Sequence, residues 1–269
     1  MQDIVPDLLD AIQRDYTQRI NSSATVKRVQ GMITSGTATY AEANEYAVEA
    51  GNLLAEVLKA HISGDILPDG RMYYNIAQRI LQPTMSGNYE LVATAAQQVQ
   101  TSLNHAAGLG LKGLKADLNQ DRIDGIVNRL ASEETYDKVA WLLDDPIVTA
   151  SQSIVDDTVH KNAEFQSNAG LSPKIVRKAE PNCCKWCSNL DGEYDYGEVR
   201  SGSDVFRRHA NCRCTVEFEP GSGKRQNVNT KKESGFLADV AARIESAMQQ
   251  DAQTRATREQ RRRSRAGST

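Results

Sequence analysis

The distribution of cysteines constrains this chain more than any other feature of its sequence. All five cysteines lie between positions 183 and 214, and the rest of the 269 residues contain none. An odd number of thiols, gathered in one short segment, does not suit a framework of disulfides. The pattern favours a metal site, with ordinary buried thiols or a redox-active group as the alternative.

Two short motifs in this segment carry the residue types that bind zinc. Cys184 and Cys187 form a C-x-x-C, and His209, Cys212 and Cys214 follow further along the chain. If the last two cysteines lie on a strand, they point to the same side. Closed structural zinc sites have four ligands. We therefore predict a structural Zn²⁺ site built from Cys184, Cys187, His209, Cys212 and Cys214, with one of the last three outside the coordination shell.

Two enzymatic sites are the alternatives to a structural one. Zinc deaminases carry H-x-E before P-C-x-x-C, with the glutamate moving protons, whereas His160 is followed here by Lys161 and Asn162. Cys183 and His209 could form a nucleophile pair in space, but no surrounding motif supports one. We therefore predict that the protein is not an enzyme and that Cys183 is not a ligand.

Helical periodicity fills the first two thirds of the chain. Ala, Gln and Leu are plentiful and aromatic residues make up only 6%, which favours helices over strands. The spacing of apolar residues predicts helices over residues 4–20, 40–60, 71–81, 89–107, 123–130, 133–143 and 146–166. Pro83 is expected to end the third helix, Ser132 to cap the helix over residues 133–143, and Asp145 to cap the last one. Trp141 is expected to lie in the helical core.

From Pro173 the pattern changes to short alternating segments. Residues 174–178 and 212–218 alternate as strands do, and Asp191-Gly192 predicts a turn between two further strands. The expected fold is mainly α: a multi-helix body at 1–169, a small α+β zinc-binding module at 170–220, and a linker, short helix and basic tail at 221–269.

The net charge and the distribution of basic residues indicate whether nucleic acid is an expected partner. A formal net charge of −3 gives no overall reason to expect nucleic acid. The basic tail is the exception, since its arginines suit contact with phosphates, although a solubilising, disordered end is the alternative. The arginines predicted to contact nucleic acid are Arg258, Arg261, Arg262, Arg263 and Arg265.

The beginning of the chain lacks the basic start and apolar run of a signal peptide. No stretch approaches the roughly 18–20 apolar residues of a membrane span. We therefore expect synthesis in the cytoplasm and no membrane partner.

The cysteine-rich segment resembles a known protein family. Residues 176–192 and 205–216, with C-x-x-C followed by H-x-x-C-R-C, are similar to the Mu F-like head morphogenesis proteins, the minor head proteins of tailed bacteriophages. The resemblance covers about residues 155–232. Family members have Pro where this chain has Ala210, a difference that removes no ligand.

The resemblance implies a virion component that is present in few copies and associates with the portal or inner capsid. We therefore expect a structural minor capsid protein of a tailed phage or prophage, made in the bacterial host cytoplasm and located in the phage head. The expected partners are the portal protein, the major capsid protein, and DNA through the basic tail. A zinc-containing, nucleic-acid-binding regulatory protein is the alternative function.

Overall fold

A computed structural model describes residues 3–200, 203–209 and 211–219 of the chain. The predicted linker, short helix and basic tail at 221–269 lie outside these residues. The helical part is formed by α1 (Val5–Ser22), α2 (Ala24–Thr34), α3 (Tyr40–His61), α4 (Tyr74–Ala106), α5 (Gln120–Leu130) and α6 (Asp145–Asn168). The part that follows contains β1 (Lys174–Lys178), α7 (Lys185–Asn189), β2 (Gly192–Asp195), α8 (Tyr196–Val199) and β3 (Thr215–Glu219). The prediction of a mainly α fold with a small α+β region is confirmed.

α3 lies at the centre of the helical part. It begins at a capping box, in which the Thr39 hydroxyl accepts from the N–H of Ala41 while Glu42 accepts from the N–H of Thr39. The helix packs against α1, α2, α4 and α6, with α6 its most extensive neighbour. Among the described residues, no helix has both the length and the apolarity that crossing a membrane requires.

Gly51 allows α3 and α6 to approach closely. A Cβ atom at this position would lie 2.8 Å from the Cα of Val148 and 2.8 Å from the Oγ of Ser151. Contacts this short do not occur between real side chains and backbone, so only glycine fits here without a shift of α6.

Buried polar side chains form hydrogen bonds between helices of the core. The hydroxyl of Tyr16 on α1 donates to Asn88 Oδ1 on α4 at 2.8 Å, and Asn88 donates to Ser151 Oγ on α6 at 2.7 Å. Gln166 on α6 donates to Asn104 on α4 at 2.8 Å. Because buried polar groups require partners, these bonds fix how the helices are aligned.

The sheet packs onto the same core. Its strand order is β2-β1-β3, with both pairs antiparallel and Ile175 opposite Phe218. Ile175, Val216 and Phe218 are buried in one cluster with the helical core residues, and β3 packs on α3 and α6. The apolar core therefore continues from the helices into the sheet. The division into segments at 169/170 and 220/221 stays a prediction.

The prediction that Pro83 ends a helix is wrong, because α4 runs through it and joins the two predicted helices. Proline removes one backbone hydrogen bond. On either side of it, however, Ile80, Leu81 and Met85 are buried in the core. This burial on one continuous face outweighs the local loss. The helix α2 was not predicted, although Ser23 caps it and accepts from the N–H of Val26 at 3.2 Å.

The predicted helix over residues 133–143 is also wrong. Turns are followed by two short 3₁₀ helices, Tyr136–Lys138 and Ala140–Leu143. The hydroxyl of Ser132, expected to cap this helix, donates instead to the carbonyl of Arg129 at the end of α5. Trp141, expected in the core, is 56% exposed.

The strand predictions are confirmed in part. The strand over residues 174–178 is present as β1, whereas β3 begins only at Thr215. The turn at Asp191-Gly192 does not join two strands, because the helix α7 precedes it and β2 pairs with β1. A five-residue helix begun by a cysteine cap is too short to be recognised by periodicity.

Candidate metal centre

The predicted ligand residues meet at one end of the three-stranded sheet. β1 and β3 are antiparallel, so the end of β1 lies beside the start of β3. Cys184 and Cys187 lie on the segment that leaves β1, and Cys212 and Cys214 lie on the segment that enters β3. Strand pairing therefore brings together two pairs of cysteines that are distant in sequence.

One helical turn presents the first pair. Cys184 is the N-cap residue of α7, and its Sγ accepts from the backbone N–H of Cys187 at 3.5 Å. Residues three apart on a helix are neighbours on its surface. Cys184 is exposed whereas Cys187 is 1% exposed, so the pair reaches from the surface into the interior.

A left-handed turn presents the second set. Asn211 has a φ of 59°, a conformation that asparagine adopts more readily than most residues. The N–H of Cys212 donates to the carbonyl of His209 at 3.2 Å. Cys212 and Cys214 precede β3 but continue its alternation of buried positions, and each is 2% exposed. The prediction that both cysteines lie on the strand itself is wrong, whereas the predicted alternation of buried positions is present.

The donor atoms form two groups that share the Sγ of Cys187. In the first, His209 Nε2 lies 3.0 Å from Cys187 Sγ and 3.3 Å from Cys184 Sγ. In the second, Cys187 Sγ lies 3.7 Å from Cys212 Sγ. The sulfur of Cys214 is the third donor atom of this group. The atoms of each group all lie within 4.8 Å of one another. Two sulfurs on one tetrahedral zinc are about 3.8 Å apart, so each of the two groups has a spacing that a metal ion could bridge.

The residues of the two enzymatic alternatives are placed differently. Cys183 is half-buried and belongs to neither donor group. The imidazole of His209 faces Cys184 and Cys187. The ring of His160 packs edge-on against Phe206, with 4.8 Å between ring centroids. The structure therefore gathers the five residues predicted from the zinc motifs and places His160 in a different environment.

The protein environment shifts the pKa values of the two cysteines of the C-x-x-C in opposite directions. Hydrogen bonds from the backbone N–H groups of Cys187 and Trp186 lower the pKa of Cys184. Burial, together with the neighbouring Cys214 and Cys212, raises the pKa of Cys187 to about 12. A divalent cation would oppose the second effect, because its charge stabilises thiolates.

Two buried arginines that sequence reasoning missed lie beside the cluster. Arg177 on β1 is 1% exposed, and the side chain of Arg208 is 2% exposed. Arg177 Nη2 donates to Cys212 Sγ at 3.8 Å, and Arg208 Nη1 donates to the same sulfur at 3.9 Å. The alternation of β1 contained the signal for one of them, since Arg177 shares a face with Ile175.

The segment that carries the second ligand set is anchored to α6. Arg208 forms a buried, bidentate ion pair with Asp156, with Nη2 to Oδ1 at 2.8 Å. Arg213 Nη2 donates to Asp145 Oδ1, and the N–H of Asn211 donates to Asp145 Oδ2, both at 2.6 Å. The side chain of Asp145, predicted to cap α6, therefore binds the ligand loop instead.

Trp186 contacts both the cluster and Arg177. Its ring stands edge-on to His209, with 5.6 Å between centroids, and the guanidinium carbon of Arg177 is 5.5 Å from its centroid. The indole is half-buried. The indole therefore packs against both the candidate ligand His209 and the buried Arg177.

The predicted nucleic-acid contacts stay a prediction. Their residues lie outside those that the structure describes, and they are Arg258, Arg261, Arg262, Arg263 and Arg265.

A Cys/His cluster at the edge of a helical protein defines the class of site: one that can hold a metal ion, with donors compatible with zinc. The chain was compared with models of protein families, with curated proteins and with solved structures, and none of them matches. Function is therefore inferred from the site and from the sequence pattern.

Proposed function

We propose that the protein is a structural zinc-binding component of a tailed-phage head, a minor capsid protein that assists head morphogenesis. The observation that carries the proposal is the convergence of the C-x-x-C and H-x-x-C-R-C motifs into one cluster. These are the motifs on which the resemblance to Mu F-like head morphogenesis proteins rests.

The choice of zinc rests on the chemistry of the donors. Thiolate sulfur and imidazole nitrogen are the ligands of structural zinc sites, which are closed by four protein ligands. Cys184, Cys187, Cys212, Cys214 and His209 offer enough donors to close such a site without water. A closed shell supports a structural role, and we propose that the protein is not an enzyme.

The helical part offers surfaces for the proposed partners. A portal or major capsid protein would contact this part, while the zinc centre holds the C-terminal sheet in place. The arginines at 258–265 would bind phosphates of packaged DNA, because neutralised phosphates release counterions.

Two measurements test the proposal. Purified protein is expected to contain one zinc per chain by elemental mass spectrometry, and to lose it to a chelator. Mature and immature heads of the phage or prophage that encodes the chain are expected to contain the protein, in complex with portal rings. A metal-free protein, or its absence from both kinds of particle, would contradict the corresponding half of the proposal.

The Cys/His cluster also suits a second function, that of a zinc-containing, nucleic-acid-binding regulator whose zinc module contacts DNA. Its mark would be DNA affinity that falls steeply with salt and persists after residues 255–265 are deleted. Binding that disappears with the tail, in a protein found in heads, supports the capsid function instead.

A further inference from the structure

Arg177 is a buried cation that lacks an acidic partner among the described residues. It is 1% exposed on the central strand β1. Its Nη1 donates to the carbonyls of Val205 and Arg207, both neutral, and its Nε has no partner. The remaining donor, Nη2, points to Cys212 Sγ at 3.8 Å.

This environment requires a negative charge nearby. A guanidinium stays protonated in proteins, and burying it beside neutral groups alone is strongly unfavourable. Hydrogen bonds to two carbonyls and the contact with the Trp186 ring offset only part of that penalty. Among the hydrogen-bond partners of Arg177 in the described part of the chain, only Cys212 can carry a negative charge, as a thiolate bound to a metal ion.

Arg208, unlike Arg177, does not need a negative charge from the metal centre. Its guanidinium also donates to Cys212 Sγ, but the bidentate pair with Asp156 already neutralises it. Of the two buried guanidinium groups that donate to Cys212, Arg177 is therefore the one without a carboxylate partner among the described residues. Zn²⁺ with three thiolates and one neutral imidazole carries a charge of −1, whereas four thiolates would carry −2.

We infer that Arg177 is the counter-charge and positioning residue of the metal centre, and that the centre comprises three thiolates and His209, with Cys212 as the third thiolate. Cys184 and Cys187 supply the other two, since both contact His209 Nε2. Cys214 is then the candidate that does not bind the ion. The inference rests on the proposed zinc centre and identifies its ligands.

The experiment uses the full chain loaded with Co²⁺, whose sulfur-to-metal charge-transfer absorption reports the number of bound thiolates. The wild-type spectrum is expected to correspond to three thiolates. Cys214→Ser should keep this spectrum, and Cys212→Ser should reduce it to that of two thiolates. A four-thiolate wild-type spectrum, or equal losses in the two variants, would overturn the ligand assignment.

The role of Arg177 is tested by affinity, measured for Zn²⁺ by competition with a chromophoric chelator. Arg177→Met is expected to weaken binding about 10- to 100-fold and to alter the cobalt spectrum, and Arg177→Lys should restore part of the affinity. Arg71→Met is the matched control, because Arg71 also has a buried Nε without a partner and lies 5.3 Å from a tyrosine ring centroid. It should leave affinity and spectrum unchanged.

Each outcome bears on a separate claim. A wild-type chain that binds no ion refutes the proposed zinc centre itself. A wild-type chain that binds one ion, with Arg177→Met at unchanged affinity and spectrum, refutes the role of Arg177 alone. If Arg177→Met does not fold, Arg177→Lys decides: its binding must be weaker than that of the wild type, and full affinity overturns the inference.

Discussion

Cys187 shows how one residue joins the two halves of the candidate centre. Its sulfur belongs to both donor groups, and it is the most deeply buried of the four cysteines in the motifs. Sequence spacing was sufficient to select this residue, because a C-x-x-C directs two thiolates at one ion irrespective of the surrounding fold.

The shifted pKa of Cys187 predicts how metal affinity depends on pH. Because burial raises this pKa to about 12, the metal-free side chain is a thiol at neutral pH, and binding must release its proton. Zinc affinity should therefore rise by at least about 10-fold per pH unit between pH 6 and 8. Calorimetric titrations in buffers of different ionisation enthalpy measure the released protons.

Cysteine variants provide the control for this prediction. Cys187→Ser should abolish tight binding, whereas Cys183→Ser should bind zinc with the same pH dependence as the wild type, since Cys183 is outside both donor groups. Affinity independent of pH would contradict the assignment of Cys187 as a ligand.

Asp157 is a second residue whose environment predicts a pH effect. Burial, and then the neighbouring charge of Asp156, raises the pKa of Asp157 from 3.8 to about 6. A carboxyl with a higher pKa in the folded state favours folding while protonated, and this contribution disappears as pH rises from about 4 to about 6. At pH 7, Asp157→Asn should therefore increase the free energy of unfolding by about 1–2 kcal/mol.

Urea denaturation at pH 4 and at pH 7 measures this effect. The stabilisation by Asp157→Asn should be largest at pH 7 and small at pH 4. Asp65→Asn, at an exposed position, should change neither value appreciably. An Asp157→Asn variant that is less stable than the wild type at pH 7 would show that the carboxylate is favourable where it lies.

At the scale of elements, the approach of α3 to α6 depends on a single missing side chain. A Cβ at Gly51 would lie 2.8 Å from the backbone of Val148. Gly51→Ala should therefore lower the free energy of unfolding by about 1–3 kcal/mol, because α6 must move away.

Gly87→Ala on α4 is the matched control for this prediction. Nothing lies within 4 Å of a Cβ at this exposed helical position, so alanine should stabilise the protein by about 0.5–1 kcal/mol through helix propensity. Denaturation curves of both variants measure the difference. Equal effects at the two positions would mean that α3 and α6 are not packed as closely as described.

The attachment of the ligand loop also belongs to the scale of elements. Arg208 with Asp156 and Arg213 with Asp145 tie this loop to two points on α6. The first pair is buried, so loss of either partner would leave an uncompensated charge in the interior. The position of the metal centre relative to the helices is thus set by charges that sequence periodicity does not reveal.

At the scale of the whole molecule, the continuous core couples the metal centre to the helices. Ile175, Val216 and Phe218 of the sheet are buried in the same cluster as the helical core. We therefore expect the fluorescence of Trp186 and the far-UV circular dichroism of the helices to change in one thermal transition. Free zinc at 1,000 times its dissociation constant should stabilise the fold by about 4 kcal/mol.

Chelation provides the complementary measurement. Removing the ion should lower the melting temperature reported by both signals to the same extent. Trp186→Phe, which leaves Trp141 as the only tryptophan, is the control for the assignment of the fluorescence change. Loss of the Trp186 signal at a lower temperature than the helical signal would indicate that the C-terminal part unfolds alone.

The sequence by itself determined the helical class, most helix positions and the five residues of the donor cluster. These depend on local spacing: apolar residues at helical period, and ligand types at metal-binding intervals. The errors at Pro83, Ser132 and Trp141 arose where a local rule met a competing contact or a buried face elsewhere in the molecule.

Only the tertiary structure decided which polar residues are buried and what they contact. Arg177 shares the buried face of β1 with Ile175, but the alternation does not show which groups surround its guanidinium. Asp156 likewise resembles any solvated residue of an amphipathic helix. The free energy of a buried charge depends on partners brought from distant parts of the chain, so their roles emerged only when β1, α6 and the ligand loop were in place.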